Sequence, residues 1–324
     1  MDGHAAYAVG SHESNHAARR AIGHSWTPAS ATSLLGRRVV ITGATRGLGL
    51  ASATELATMG ASLILAVRDE VHGAEVAGRL RDDYSVDVEV ARLDLADLAT
   101  VREFAARMNG PIDLLVNNAG LMWGPRRTTV DGFEGQLATN YLGHFALTGL
   151  LLPRLLEAPA SRVVSVTSAL HTSGRFDFDD MNFTRRYSQY AAYSRSKLAM
   201  LVFARELARR SQRAGIALSS YAAHPGYAAT DLQTRGRGSV MTGVMTLGNV
   251  LFATSAQQGA TPIVCAATVP GLPNGTYVGP SRWGGLRGAP GVARSSPASR
   301  DLDAARRLWD YSQEATGVEF GFGG

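Results

Sequence analysis

The stretch 38–59 constrains the fold of this chain more than any other. Arg38-Val39-Val40-Ile41 is an apolar run of strand character, Thr42-Gly43-Ala44-Thr45-Arg46-Gly47-Leu48-Gly49 is a turn with three glycines, and 51–59 reads as a helix. A strand that enters a helix through glycines presents backbone N–H groups at the helix start, where a phosphate can be held. The spacing is G-x-x-x-G-x-G rather than the G-x-G-x-x-G of the common dinucleotide fingerprint. A tight strand-to-helix turn would also use three glycines, so the rest of the chain has to decide what the turn is for.

The rest repeats the unit. Strands are expected at 62–67, 86–93, 112–116, 162–168 and 215–221, with a short last one at 276–278 and helices at 97–108, 131–157, 193–210 and 304–312. Alternating strand and helix at this spacing predicts an α/β fold, a Rossmann-like doubly wound parallel sheet with helices on both faces. Residues 26–324 are expected to form one domain without internal repeats, and 1–25 a flexible extension.

Ligands of such sheets lie beyond the carboxyl ends of the strands, where the glycine loop, Arg68, Asp94 and Asn118 all fall. The second strand ends Ala66-Val67-Arg68. An acid at this place takes a ribose 2′-hydroxyl, whereas an arginine accommodates a 2′-phosphate. Arg46, inside the glycine loop, could reach the same phosphate, so NADP is favoured over NAD, although Asp69 keeps the acidic alternative in play. Asp94, with Leu95 behind it, is placed to hydrogen-bond an adenine amino group.

In the second half, the helix 131–157 carries Asn140 and His144 on one face, and the strand 162–168 ends in Ser168 outside any G-x-S-x-G nucleophile elbow. Tyr193 and Lys197 are four apart and share a helix face. Lys197 is the only lysine among 32 basic Lys and Arg residues, which suggests a task for a compact ammonium that a guanidinium cannot do. A cation near a phenol lowers the phenol pKa toward the working range of a general acid or base. Farther on come His224-Pro225-Gly226 and an apolar stripe of Val240, Val244, Leu247 and Leu251, either core or a lid over a lipophilic substrate. Residues 169–192 and 227–252 are expected to line the substrate.

Composition closes off other classes. The net charge is +5, but no basic run with interleaved aromatics appears, so no nucleic-acid partner is expected. Cys265 is the single cysteine; it excludes an internal disulfide and a CxxC metal site and fits a reducing, cytoplasmic setting. His12 and His16 are four apart, but no metal site is expected. No apolar stretch reaches the ~18 residues of a membrane span. The apolar helix 141–156 would suit a homo-oligomer contact.

Taken in order, Thr42-Gly43-x-x-x-Gly47-x-Gly49, Asn117-Asn118-Ala119-Gly120, Asn140, Ser168, Tyr193, Lys197 and Pro225-Gly226 resemble the short-chain dehydrogenases/reductases over about residues 35 to 280. The long gap between Ser168 and Tyr193, with Ala66-Val67-Arg68, is similar to the branch of retinol dehydrogenases and relatives of protochlorophyllide reductase. The resemblance implies a nicotinamide-dependent oxidoreductase acting on a small lipophilic alcohol or carbonyl substrate. Tyr193 would be the general acid/base, Ser168 would orient the substrate oxygen, Lys197 would hold the nicotinamide ribose, and Asn140 would position a relay water. Gly43, Thr45, Arg46, Gly47, Leu48, Gly49, Asn118, Ala119, Gly120, Pro225 and Gly226 would line the cofactor, and Thr230 would meet its carboxamide. A non-catalytic NADP-binding sensor on the same fold is the alternative, and the intact Asn-Ser-Tyr-Lys set counts against it.

Overall fold

The computed structural model describes residues 12–23, 26–226 and 255–322. Eight strands form one sheet in the order β3-β2-β1-β4-β5-β6-β7-β8. These are β1 Arg38–Thr42, β2 Ser62–Val67, β3 Val88–Arg92, β4 Leu114–Asn117, β5 Ser161–Val166, β6 Leu218–Ala223, β7 Tyr277–Arg282 and β8 Arg287–Val292. Pairing is parallel from β3 through to β7, and only β7 and β8 run antiparallel. Because β1 pairs with β2 on one side and β4 on the other, the chain reverses its winding there, and the crevice at the end of β1 is where such sheets take ligands.

Both faces of the sheet are buried, and successive residues divide between two cores. Val40, Ile64, Leu115 and Val163 face one core, where α4 (Leu98–Arg107), α6 (Gly143–Leu156), α7 (Gln189–Arg213) and α9 (Leu302–Thr316) pack. Val39, Ile41, Leu63, Leu65, Leu114 and Val116 face the other, under α2 (Gly47–Thr58), α3 (Glu70–Tyr84) and α8 (Ala256–Thr268). Ser255 caps α8 as its side-chain oxygen accepts from Gln258 N at 3.2 Å, and Cys265 is a buried core thiol.

Three elements differ from what the sequence suggests. Part of the expected flexible extension is a helix, α1 (His12–Ile22), because Ala18 and Ile22 share one helix face and bury it in the second core. The Gly- and Pro-rich tail after Gly279 contains β8, an edge strand whose Pro290 is tolerated at a sheet margin. The apolar 141–156 segment is packed over by the C-terminal tail of its own chain. Phe320 packs its ring, tilted, with its centre 5.0 Å from that of Phe145 and 4.7 Å from that of Trp309. A Cβ on Gly149 would lie 2.6 Å from Val318 Cγ1, so the C-terminal tail needs a glycine there to close down. Among the described residues no helix is long and apolar enough to cross a membrane.

Candidate active site

The glycine loop is held open by its own backbone. Gly43 and Gly47 have φ of 68° and 55°, a region that other residues adopt only with strain. Arg46 is the N-cap of α2 in extended conformation and makes no side-chain cap bond, so the first N–H groups of α2, at Gly47, Leu48 and Gly49, form an uncapped positive end. Gly49 is obligatory by contact, since a Cβ would sit 2.2 Å from Gly43 O and 2.5 Å from Asn118 Nδ2. The loop is locked to the end of β4 by Thr42, whose Oγ1 accepts the N–H groups of Asn118 and Ala119 at 2.9 Å each, while Asn118 Nδ2 donates to Thr42 O at 2.8 Å.

Arg46, at the start of α2, and Arg68, after β2, are exposed, and neither side chain makes an ion pair or hydrogen bond with another described residue. Asp69 is occupied otherwise, for its carboxylate caps α3 by accepting from His72 N at 3.0 Å. Asp94 accepts from Ala96 N at 3.0 Å and its own N–H donates to Thr100 Oγ1. Leu95 is buried against Gly143, whose Cβ would meet Leu95 O at 2.3 Å.

Asn140 stands in a π turn, Ala138–Leu142, between α5 (Gly135–Leu137) and α6. Its side chain is committed to the next loop: Oδ1 accepts from Leu121 N at 2.6 Å, and Nδ2 donates to Leu121 O and Ser196 Oγ. Its carbonyl receives His144 Nδ1 at 3.1 Å, and His144 Nε2 lies 3.0 Å from Thr42 Oγ1. Burial drives His144 down to about 3, so the ring is neutral. A carbonyl can only accept, so the proton is on Nδ1 and Thr42 donates to Nε2. One buried chain of bonds thus joins Asn140 to the glycine loop.

Ser168 follows β5 and caps the 3₁₀ turn Ala169–Ser173, its Oγ accepting from Leu170 N at 3.2 Å, and it is near enough to the Tyr193 hydroxyl to favour the ionised phenol. Tyr193 and Lys197 are 6% and 4% exposed on α7. Lys197 Nζ donates to Val166 O at 3.1 Å and stands 5.8 Å from the Tyr193 ring centre. A Cβ on Gly120 would be 3.4 Å from Nζ and 3.2 Å from Asn140 Oδ1, so the Asn118–Gly120 turn, Asn140 and Lys197 meet at one point. The expected depression of the phenol by the ammonium is not what dominates here. Burial pushes Tyr193 up to about 12 against the opposing Ser168 bond, and brings Lys197 down to about 8. Removing charge from water outweighs attraction at this depth.

Of the remaining expected contacts, Gly226 has φ 72° and packs on the β7–β8 turn, where a Cβ would meet Leu286 O at 2.4 Å. Pro225 precedes it. Thr230, the stripe from Val240 to Leu251 and the substrate segment 227–252 lie outside the described residues.

Sequence reasoning missed how 169–192, the other segment expected to line the substrate, is held. Arg195 projects from α7 to donate to the carbonyls of Arg175, Asp180 and Met181 and covers the Phe183 ring at 3.8 Å. Gln136 accepts from Trp123 N and donates to the Tyr187 hydroxyl and Gln189 O. These residues tie 121–128 and 169–192 together beside Tyr193. Arg195 lies two positions from both Tyr193 and Lys197, on the opposite side of the helix, and that spacing was the available signal. Among the described residues no cluster could hold a metal ion.

Comparison with known proteins agrees with this geometry. The family model for short chain dehydrogenase matches residues 37–238. Retinol dehydrogenase 13 of Homo sapiens is 39% identical over 304 residues, covering 90% of this chain and 88% of the relative. Polyprenol dehydrogenase of Mus musculus is 40% identical over 295 residues, covering 87% and 84%. A crystal structure of an uncharacterized protein from Mycobacterium Paratuberculosis superposes with a TM-score of 0.78 at 43% identity, covering 92% of this chain and 99% of that one. Matched over most of its length by relatives that are dehydrogenases, the chain belongs to the short-chain dehydrogenase family of oxidoreductases acting on CH–OH groups.

Proposed function

We propose that this protein is an NADP(H)-dependent oxidoreductase that interconverts a lipophilic alcohol and its aldehyde or ketone, with Tyr193 as general acid/base. The observation that carries it is the convergence of Ser168, Tyr193, Lys197 and Gly120 beside the uncapped start of α2 at the switch point of the sheet. The residues fit a dinucleotide: the glycine loop would fill if any of its close approaches carried a Cβ, and the first turn of α2 is free to bind pyrophosphate. Arg46 and Arg68 would hold a 2′-phosphate, which explains why Asp69 is turned away into the α3 cap. Asp94 would meet the adenine.

When bound, NADP(H) supplies the hydride chemistry. The chain does the rest. Ser168 orients the substrate oxygen, and Tyr193 delivers a proton to it in reduction or takes one in oxidation. Lys197 holds ribose hydroxyls, and Asn140 fixes the Leu121 loop that closes the site from the β4 side. A lipophilic substrate is inferred from the names of the relatives, which act on retinol and polyprenol. The test is a panel of lipophilic alcohols and ketones with NADP and NADPH. Turnover that depends on Tyr193 is expected, and NADPH binding with no turnover on any of them would favour a sensor.

A further inference from the structure

The turn that follows Ser168 carries His171, only 1% exposed. Its Nδ1 lies 2.8 Å from the Ser168 carbonyl oxygen, and its Nε2 lies 3.3 Å from the backbone N of Ser296. A carbonyl only accepts and a backbone N–H only donates, so the ring is neutral with its proton on Nδ1. Burial, which pushes this imidazole down in pKa against the Ser168 bond, acts the same way. The Tyr277 hydroxyl is 3.5 Å from Nδ1, too far to compete, and the Tyr277 ring stands edge-on at 5.5 Å. Ser296 itself leads into the 3₁₀ turn Pro297–Arg300, which Arg205 of α7 grips through Ser299 O and Oγ at 3.0 and 2.8 Å.

The consequence falls on Ser168. Its carbonyl takes two donors from the same residue, the His171 N–H at 3.0 Å and the His171 ring. Its Oγ takes Leu170 N–H, which leaves the hydroxyl one proton and one lone pair to share with Tyr193 and a substrate oxygen. The aim of that hydroxyl is fixed by the turn, and the turn is closed by His171.

We propose that His171 is a positioning residue, which sets the orientation of the Ser168 hydroxyl through its carbonyl and anchors that turn to the Ser296 backbone. The inference rests on the reading of Ser168 as the group that orients substrate. The side chains that mimic each ring nitrogen separate its two bonds. Asparagine places an amide N–H near Nδ1, and glutamine places an acceptor near Nε2.

The experiment measures kcat and KM on the best lipophilic substrate at saturating NADPH, with NADPH affinity from fluorescence and melting temperature alongside. His171→Gln and His171→Leu are expected to lower kcat about 30-fold with NADPH affinity unchanged, because a displaced orienting group costs one to two orders of magnitude. His171→Asn should recover to within about threefold of the parent. In a Ser168→Ala background, His171→Gln should cost less than about threefold, since residues acting through one another are not additive. Equal loss in both backgrounds, or an Asn variant as poor as Leu, would overturn the proposal and leave His171 a packing residue. Should the Gln and Leu variants fail to fold, Ser296→Pro provides the test. The φ of Ser296 is already −66°, and losing its N–H removes the same anchor that His171→Asn gives up, so kcat should fall by no more than that variant loses, and only where Ser168 is present; a fall of equal size in the Ser168→Ala background would overturn the proposal. If Ser168→Ala alone left kcat intact, the functional reading itself would fail. If it lowered kcat while His171→Gln did not, only this inference would.

Discussion

The two ends of the sheet are built from the same residue types and use them in opposite ways. At the amino end of β1, arginines meet partners from the protein itself: Arg37 pairs with Asp113 at 2.7 Å, Arg38 with Glu89 at 3.5 Å, and Arg81 donates to Val88 O. At the carboxyl end, the Arg46 and Arg68 side chains meet no described partner, the start of α2 lacks a side-chain cap, and the Lys197 ammonium has one hydrogen-bond partner among the described residues. Charge that the protein neutralises serves the fold, and charge that it leaves available is what the proposed cofactor would meet. Burial sharpens the contrast, because the exposed pairs at the amino end are worth little, whereas Tyr193 and Lys197 are both shifted by desolvation.

The contrast breaks most easily at Tyr193. Tyr193→Phe should lower kcat by ~10³-fold or more, the range of a lost general acid/base, with NADPH binding kept; steady-state rates and a fluorescence titration check it. The pH profile comes next. With the phenol pushed up to about 12, it stays protonated near neutrality and is ready to act as an acid. Alcohol oxidation needs the phenolate, so its kcat should rise up to about tenfold per pH unit above neutrality while carbonyl reduction shows no such rise. Parallel profiles in the two directions would remove Tyr193 from the proton step.

At the proposed phosphate end, Arg46→Ala and Arg68→Ala should each weaken NADPH binding about 10- to 100-fold and leave NADH nearly unchanged, since each charge-assisted bond to a phosphate is worth roughly 1.5–3 kcal/mol. Lys197→Met should abolish turnover and yet stabilise the fold. The folded-state pKa, about 8, lies below the ordinary 10.5, so the unfolded chain binds more protons between those values and stability rises with pH across that window. Below pH 8 the buried charge costs its full amount, and replacing it should raise the melting temperature by ~2–5 °C at pH 7. Arg37→Ala, at the other end, should leave cofactor affinity untouched and cost less than about 1 kcal/mol by denaturant titration.

Much of this site is legible in the sequence because its parts are local. Thr42 to Gly49 is one turn, Tyr193 and Lys197 share one helix face, and Arg68 ends one strand. What depends on burial is not legible. Spacing places an ammonium near a phenol but does not say that both are out of water, and desolvation reverses the expected shift of Tyr193. The π turn at Asn140 adds a residue to a helix without disturbing its apolar pattern. The β8 strand hides in a Gly- and Pro-rich run, because an edge strand needs few of the residues that mark a central one. That Val318 and Phe320 pack on the 141–156 segment is not legible either, because they lie more than 160 positions beyond Leu156.

The single lysine makes the central claim directly testable. A lysine-directed reagent has one side-chain target, Lys197, with the terminal amine as an internal reference. Labelling followed by peptide mass spectrometry, with and without NADPH, should show Lys197 protected by the dinucleotide, the terminal amine unaffected, and activity lost in step with Lys197 modification. Labelling of Lys197 at the same rate with saturating NADPH, or modification that leaves turnover intact, would contradict the account.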